Sequence, residues 1–565
     1  MDAVQSKRGG EARQPDPPER LRATLALENA GPERFVTLAL FLLSFLYLCL
    51  FRHVTALEPD EGIILQGAQR ILAGQVVYRD FFSFYTPGSY YALAGIFRLF
   101  GSSLGVARVA LAGAGALLSV LTYLLALRVS SRSMALTLAV LGTLTTLPYR
   151  FLVLHNWDST LWACLALYAA VRLLENPGRK WAFGVGSLAS LTVLFEQSKG
   201  AGLCLGLGMG ALAIFIVRRR SPLNGPQGLW MAAGFVWPLA LTLAWFASQH
   251  STAVMLADWF WPLGHYSRAN HVPYGYQNWS DASRHLLFET GSLFERAIKL
   301  LAISPLLWIP FLPFAAVGLF GISTLRVWRE RDQGTQSGGT KGDSSILIPA
   351  CMVGLWLSVV VTRTDIIHFM YLQPLNCVLL AWILDSAEWQ GRLRRFVQPW
   401  LAAYVIAALF LLGMIPLAGV GAAHNQVVTR RGILTTNGKD TVIEYVQAHV
   451  PSGSKILVYP YLPLYYFATA TFSPSRYDYF QPGMHTQEQA EEIIKQLASQ
   501  RVGVVLFETN FADKIPHAWP GTLPSTVAQD PVADYIRMNY RSCADLMSPV
   551  KWQFAFMVRK DLPCN

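Results

Sequence analysis

About eleven apolar runs, each of roughly 17–25 residues, recur between Phe35 and Leu417, and they constrain the fold more than any other feature. They fall at 35–51, 104–127, 133–149, 157–174, 181–196, 200–217, 228–248, 301–325, 345–361, 369–385 and 397–417. A helix needs about 20 such residues to cross a hydrocarbon core of ~30 Å. Charge is scarce to match: 14% of 565 residues, against about 25% in an ordinary soluble chain. The chain therefore reads as a polytopic membrane protein, all-α within the bilayer.

The net charge of +11 would in a soluble protein raise the question of nucleic acid. Here the arginines lie between apolar runs, so no nucleic-acid partner is expected. With the N-terminus in the cytoplasm and the crossings alternating, one side receives Arg128/Arg132, Arg172/Arg179/Lys180, Arg218/Arg219/Arg220, Arg326/Arg329/Arg331/Lys341 and Arg392/Arg394/Arg395. All these clusters share a side, as the positive-inside rule requires, and shifting the count by one span would alternate them. The first run ends at Arg52-His53 without a small-residue cleavage pattern, so it reads as an uncleaved signal anchor. Residues 1–33 are polar and contain prolines, which predicts a disordered cytoplasmic tail. The longest inside loop, 326–345, has a linker-like Gly/Ser/Thr/Gln composition.

The other side is chemically distinct. It holds Glu58, Asp60 and Glu61, then His155 and Asp158, Glu196 and Lys199, the loop 250–299, and Arg363, Asp365 and His368. The segment from His424 onward also falls there. Its pattern predicts a helix at 441–449, a strand at 455–459, a helix at 487–500 and a strand at 502–507. Three parts follow: the tail 1–33, a membrane domain 34–420 and a small extracytoplasmic α/β domain 421–565. Cys543 and Cys564 lie in this last part, where an oxidising compartment permits a disulfide. The other five cysteines sit in apolar runs and read as small buried hydrophobes.

The first outside loop is the most informative stretch. Pro59 suits the first turn of a helix, and Asp60 and Glu61 complement its dipole. Ile63, Ile64, Ala68, Ile71 and Leu72 recur at helical spacing, with Gln66, Gln69 and Arg70 on the other face. This predicts an amphipathic helix in the membrane interface, ended by Gly74. Capping needs one acid, and placing three at a lipid boundary is costly, so a functional role is expected for Asp60 or Glu61. An aromatic-rich segment follows, including Tyr85, Tyr90 and Tyr91.

From Asp60-Glu61 through Leu72-Ala-Gly74, Tyr78-Arg-Asp80, Tyr85-Thr-Pro-Gly-Ser-Tyr-Tyr91 and Phe100-Gly101 to Arg108, the chain resembles the GT-C membrane glycosyltransferases. The likeness is to the protein O-mannosyltransferases (glycosyltransferase family 39) and to bacterial aminoarabinose and lipopolysaccharide sugar transferases. It covers about 35–420, and the C-terminal domain looks like one appended to many bacterial members. Two stretches depart from the family pattern. Tyr85-Thr86-Pro87 stands where His-Pro-Pro is commoner, and Phe195-Glu-Gln-Ser-Lys-Gly200 replaces a Lys-Gln before glycine.

The resemblance implies a GT-C fold and inverting transfer from a polyprenyl-phosphate sugar to an acceptor hydroxyl or amine. The acceptor would be a glycan, lipid or protein, on the periplasmic or outer face of a bacterial cell membrane. Asp60 matches the family's catalytic acid and would act as general base, with Glu61 orienting it. Lys199, Arg363 and His368 are the expected ligands of the donor phosphate. Tyr85, Tyr90, His155, Trp157, Asp158 and Asp365 are the expected substrate contacts, Trp157 by stacking on a sugar. No acid or histidine pair has the spacing of a preformed metal site, and no cofactor is expected, although the outside acids leave room for a divalent ion. The alternative is a transporter or lipid flippase, which would favour internal repeats and polar residues at mid-span; neither is evident.

Overall fold

The computed structural model describes every residue except 1–18, 56, 266–269, 280, 333–338, 387–390, 392, 481–483, 523–528 and 565. Each apolar run forms helix; Pro148 and Pro310 sit in short 3-10 breaks, whereas Pro238, Pro349 and Pro416 lie inside continuous helices. In chain order come α1 (Glu19–Cys49), α2 (Pro59–Leu72), α3 (Gly88–Phe100), α4 (Leu104–Ala126), α5 (Arg132–Thr145) and α6 (His155–Glu175). They are followed by α7 (Arg179–Phe195), α8 (Gln197–Arg218), α9 (Gly225–Ser248) and α10 (Thr252–Gly264). Further long helices are Leu293–Trp308, Leu312–Asp332, Gly339–Thr362, Gln373–Asp385 and Gln398–Ala422. Among the described residues, six helical segments are long and apolar enough to cross a membrane: Leu104–Ala126, Gln197–Arg218, Gly225–Ser248, Leu293–Asp332, Gly342–Thr362 and Leu393–Ala422. The shorter α5 and Gln373–Asp385 pack on each other inside the bundle.

Two expectations shift. α1 begins at Glu19, within the segment expected to be a disordered tail, and residues 1–18 lie outside the described ones. The expected linker 326–345 is helical up to Asp332 and again from Gly339, while its middle lies outside the described residues.

Basic side chains of the expected inside loops pair across neighbouring helix ends. Arg128 pairs with Glu175 at 2.9 Å, Arg218 with Asp343 at 2.9 Å, and Arg331 donates to the Val217 carbonyl at 2.8 Å. α8 and Gly339–Thr362 touch backbone to backbone: a Cβ on Gly202 would lie 2.3 Å from the Gly354 carbonyl oxygen. Only glycine permits that approach.

The C-terminal region builds a hairpin, β1 (Asn425–Thr429) with β2 (Gly432–Thr436), and a four-stranded mixed sheet. The sheet strands are β3 (Leu457–Tyr459), β4 (Val504–Glu508), β5 (Tyr540–Met547) and β6 (Gln553–Arg559), in the order β3-β4-β6-β5. β3 and β4 are parallel and the other pairs antiparallel. The expected helices appear at Val442–His449 and Gln487–Ser499. Cys543 and Cys564 are joined as a disulfide, which ties β5 to the chain end.

α2 departs from the expectation of a lipid-surface helix. Nine of its residues, from Glu61 through Ala68 and Arg70, are buried. The C-terminal domain covers it: a Cβ on Gly62 would fall 2.0 Å from the Leu464 nitrogen. Its polar face is a docking face instead of a wet one. Arg70 pairs with Asp478 at 2.7 Å and donates to the Ser475 carbonyl at 3.2 Å. Above it, Arg476 donates to the Tyr78 carbonyl at 2.9 Å, and Thr55 and His53 pair with Thr435 of β2. The start of α2 is thereby fixed from both sides.

Candidate active site

Consecutive residues of an α-helix point about 100° apart. Asp60 and Glu61 in the first turn of α2 therefore face different surroundings. The Asp60 carboxylate, 36% exposed, opens onto a cavity of about 1080 Å³. One of its oxygens accepts from Arg150 at 2.6 Å and the other from the Tyr461 hydroxyl at 2.9 Å. Each carboxylate oxygen has a second lone pair, so both remain able to take a proton. Glu58 lies 3.4 Å from the same Arg150 nitrogen. Arg150 ends a short 3-10 turn begun by Leu147-Pro148, and its Nε is buried with no hydrogen-bond partner among the described residues.

Glu61 turns away from this cavity. It is wholly buried against Arg108 through two hydrogen bonds of 2.9 and 2.7 Å, and it accepts from the Val153 backbone at 3.0 Å. Its contribution is positional, since it pins α2 to α4 and to the loop that carries Arg150.

Arg363, Asp365 and His368 do line the cavity, as does Glu58. Asp365 caps the short helix Ile366–Met370 and binds both neighbours: its Oδ1 lies 2.6 Å from His368 Nδ1, and its Oδ2 accepts from Arg363. Burial alone would raise the Asp365 pKa, but His368 and then Arg363 outweigh it and hold the carboxyl well below the usual carboxylate range. The other guanidinium arms of Arg363 reach Asn270 at 2.8 Å and the Ala518 carbonyl at 2.7 Å. Arg363 is thus a clamp between the membrane domain and the C-terminal domain, and Asp365 holds the His368 ring through Nδ1. Tyr85 and His155 also line the cavity, with ring centroids 4.0 Å apart.

Four expected site residues are directed elsewhere. Lys199 is buried, and its three protons meet the Asn156 carbonyl at 2.8 Å, Glu196 at 2.9 Å and Ser159 at 3.0 Å. An ammonium with three internal acceptors has none left for a phosphate. Trp157 is buried edge-on against Tyr371 and donates to the Arg150 carbonyl at 3.2 Å, so it supports Arg150 from behind and offers no open face. Asp158 accepts from Ser89 at 2.6 Å, and Tyr90 is buried against Phe81 with its hydroxyl on Ser83. None of the four is among the residues lining the cavity.

Sequence reasoning missed Arg150 and Tyr461. The Pro148-Tyr149-Arg150 step at the end of an apolar run was the available sign for Arg150. Tyr461 has no local sign, because it lies 401 residues beyond the carboxylate it touches.

No family model and no curated protein matches the chain. Solved structures do. ArnT from Cupriavidus metallidurans in the apo state is 14% identical, with 94% of this chain and 98% of that one covered and a TM-score of 0.50. The same protein bound to undecaprenyl phosphate is 13% identical over 93% and 98%, also at 0.50. The oligosaccharyltransferase of Archaeoglobus fulgidus, in complex with zinc and sulfate, is 11% identical over 91% and 73%, again at 0.50. The architecture of this chain, a helical membrane bundle with a C-terminal α/β domain docked over its first loop, is the GT-C fold.

Proposed function

We propose that this protein transfers a sugar from a polyprenyl-phosphate donor to an acceptor hydroxyl or amine, with inversion at the anomeric carbon. The observation that carries the reading is Asp60: a carboxylate held by Arg150 and Tyr461 at a large cavity shared by the membrane bundle and the C-terminal domain. The undecaprenyl phosphate bound to ArnT, a protein of the same fold, supports a lipid-phosphate donor.

In this reading the acceptor oxygen or nitrogen attacks the anomeric carbon as the bond to the phosphate breaks. The phosphate departs with the bonding electron pair, and the acceptor's proton passes to Asp60. Arg150 and His368 stabilise the departing phosphate, and Arg150 takes the place expected of Lys199. Apolar wall residues of α8 and Gly339–Thr362, including Ala201, Leu205, Leu357 and Val361, suit a lipid tail. The site faces the extracytoplasmic side of a bacterial inner membrane, on the strength of the basic loops, which the positive-inside rule assigns to the cytoplasm. The transfer runs without a resident metal.

The experiment is purified protein incubated with a panel of polyprenyl-phosphate sugars while lipid phosphate release is followed. Release by the wild type and none by Asp60→Ala supports the reading. Equal release by both would sink it.

A further inference from the structure

The cavity has two unlike ends. One is apolar and lies between transmembrane helices. The other is walled by the C-terminal domain through Tyr461, Glu508, Phe511, Lys514, Trp519 and Trp552. Two groups of contacts make up this wall, and one of them starts at Asp60. Tyr461 donates to Asp60 and meets Trp519 edge-on at 5.5 Å, and Trp519 meets Phe511 at 6.0 Å. On the same wall Lys514 pairs with the buried Glu508 and sits 3.9 Å from the Trp552 ring centre.

We infer that this wall is an acceptor subsite for an uncharged saccharide, a reading that rests on the glycosyl transfer proposed above. A pyranose has an apolar C–H face, which packs on aromatic rings, and a rim of hydroxyls that need both donors and acceptors. Trp519, Trp552 and Phe511 supply the rings. Lys514 has two protons beyond the one given to Glu508, and Asp513 supplies a further carboxylate on the same wall. With two acids and one ammonium, the wall does not attract an anionic ligand.

The competing acceptor chemistries fit less well. One common way to capture an extended peptide is a free strand edge. Glu508 ends β4 and Trp552 precedes β6, and these two strands are the interior of the sheet, each paired on both sides. A lipid tail would bury the Glu508–Lys514 pair against hydrocarbon at high cost. The wall is also held in place: Arg363 donates to the Ala518 carbonyl, and Tyr276 to that of His517 at 3.0 Å. A subsite built this way presents the saccharide hydroxyl toward Asp60 through the Tyr461 side.

The test is equilibrium titration of the full-length protein in detergent, followed by tryptophan fluorescence or calorimetry. The probes are maltohexaose, cellohexaose, mannohexaose, N-acetylchitohexaose and a Ser/Thr-rich decapeptide. The expected result is saturable binding of at least one saccharide, weakened tenfold or more in Trp519→Ala and Trp552→Ala. Binding of undecaprenyl phosphate is measured on the same variants and should stay at the wild-type level, which separates loss of the subsite from loss of the fold. No saccharide binding at millimolar concentration, saccharide binding indifferent to both tryptophans, or tryptophan-dependent capture of the decapeptide would each overturn the inference. Those failures leave donor turnover by the wild type untouched, so they are distinct from failure of the glycosyltransferase reading.

Discussion

Asp60 and Glu61 are adjacent carboxylates in the same helical turn, and the molecule treats them in opposite ways. Asp60 is 36% exposed, faces the cavity and is held by one cation and one hydroxyl. Glu61 is 0% exposed and locked to Arg108 and the Val153 backbone. A single step of about 100° around α2 separates a group that faces the cavity from one enclosed by the fold. The pair shows how neighbouring acids can be divided: Glu61 is committed to structure, and Asp60 is left facing the cavity.

The comparison is broken most forcefully at the buried member. Removing one partner of a buried ion pair leaves an uncompensated charge, at a cost of about 3–5 kcal/mol. Glu61→Ala should therefore lower unfolding free energy by about that much in detergent, and Glu61→Ala with Arg108→Leu should recover much of it. If Glu61→Ala instead kept wild-type stability and lost turnover, the two roles would have to be exchanged.

Arg150→Gln comes next. It removes the cation shared by Asp60 and the leaving phosphate, and should lower turnover by about 10²–10³-fold while Lys199→Met leaves donor affinity unchanged. Loss of donor affinity in Lys199→Met would restore that lysine to the phosphate site. Tyr461→Phe is milder. A hydrogen bond to a charged group contributes about 1.5–3 kcal/mol, so turnover should fall about 10- to 100-fold with stability little changed. The smallest expected effect is that of chelation: EDTA should leave turnover unchanged, and a loss restored by a divalent ion would mean that Asp60 works as a ligand.

Much of the fold was legible because its causes are local. The apolar runs set the helices, and Pro59 and the acids after it marked the start of α2. The site was only partly legible. Asp60, Arg363, His368, Tyr85, His155 and Asp365 line the cavity, because each lies beside a helix break. Lys199, Trp157, Asp158 and Tyr90 do not. Lys199, Trp157 and Asp158 lie within one turn of a lining residue and Tyr90 lies five residues past Tyr85, and only tertiary packing decides which way a side chain at that position turns. The polar face of α2 was misread for the same reason: Arg70 has its partner in Asp478, 408 residues away, and periodicity carries no record of such a partner.

In the proposed transfer Asp60 takes the acceptor's proton while Glu61 and Arg108 hold it in place. Its most direct test is single-turnover transfer from a polyprenyl-phosphate sugar, with donor saturating, by wild type and Asp60→Asn. The account predicts equal donor affinity, an unchanged unfolding midpoint and a transfer rate lower by about 10²–10⁴-fold in the variant. Equal transfer rates, or a loss accounted for entirely by weaker donor binding, would contradict it.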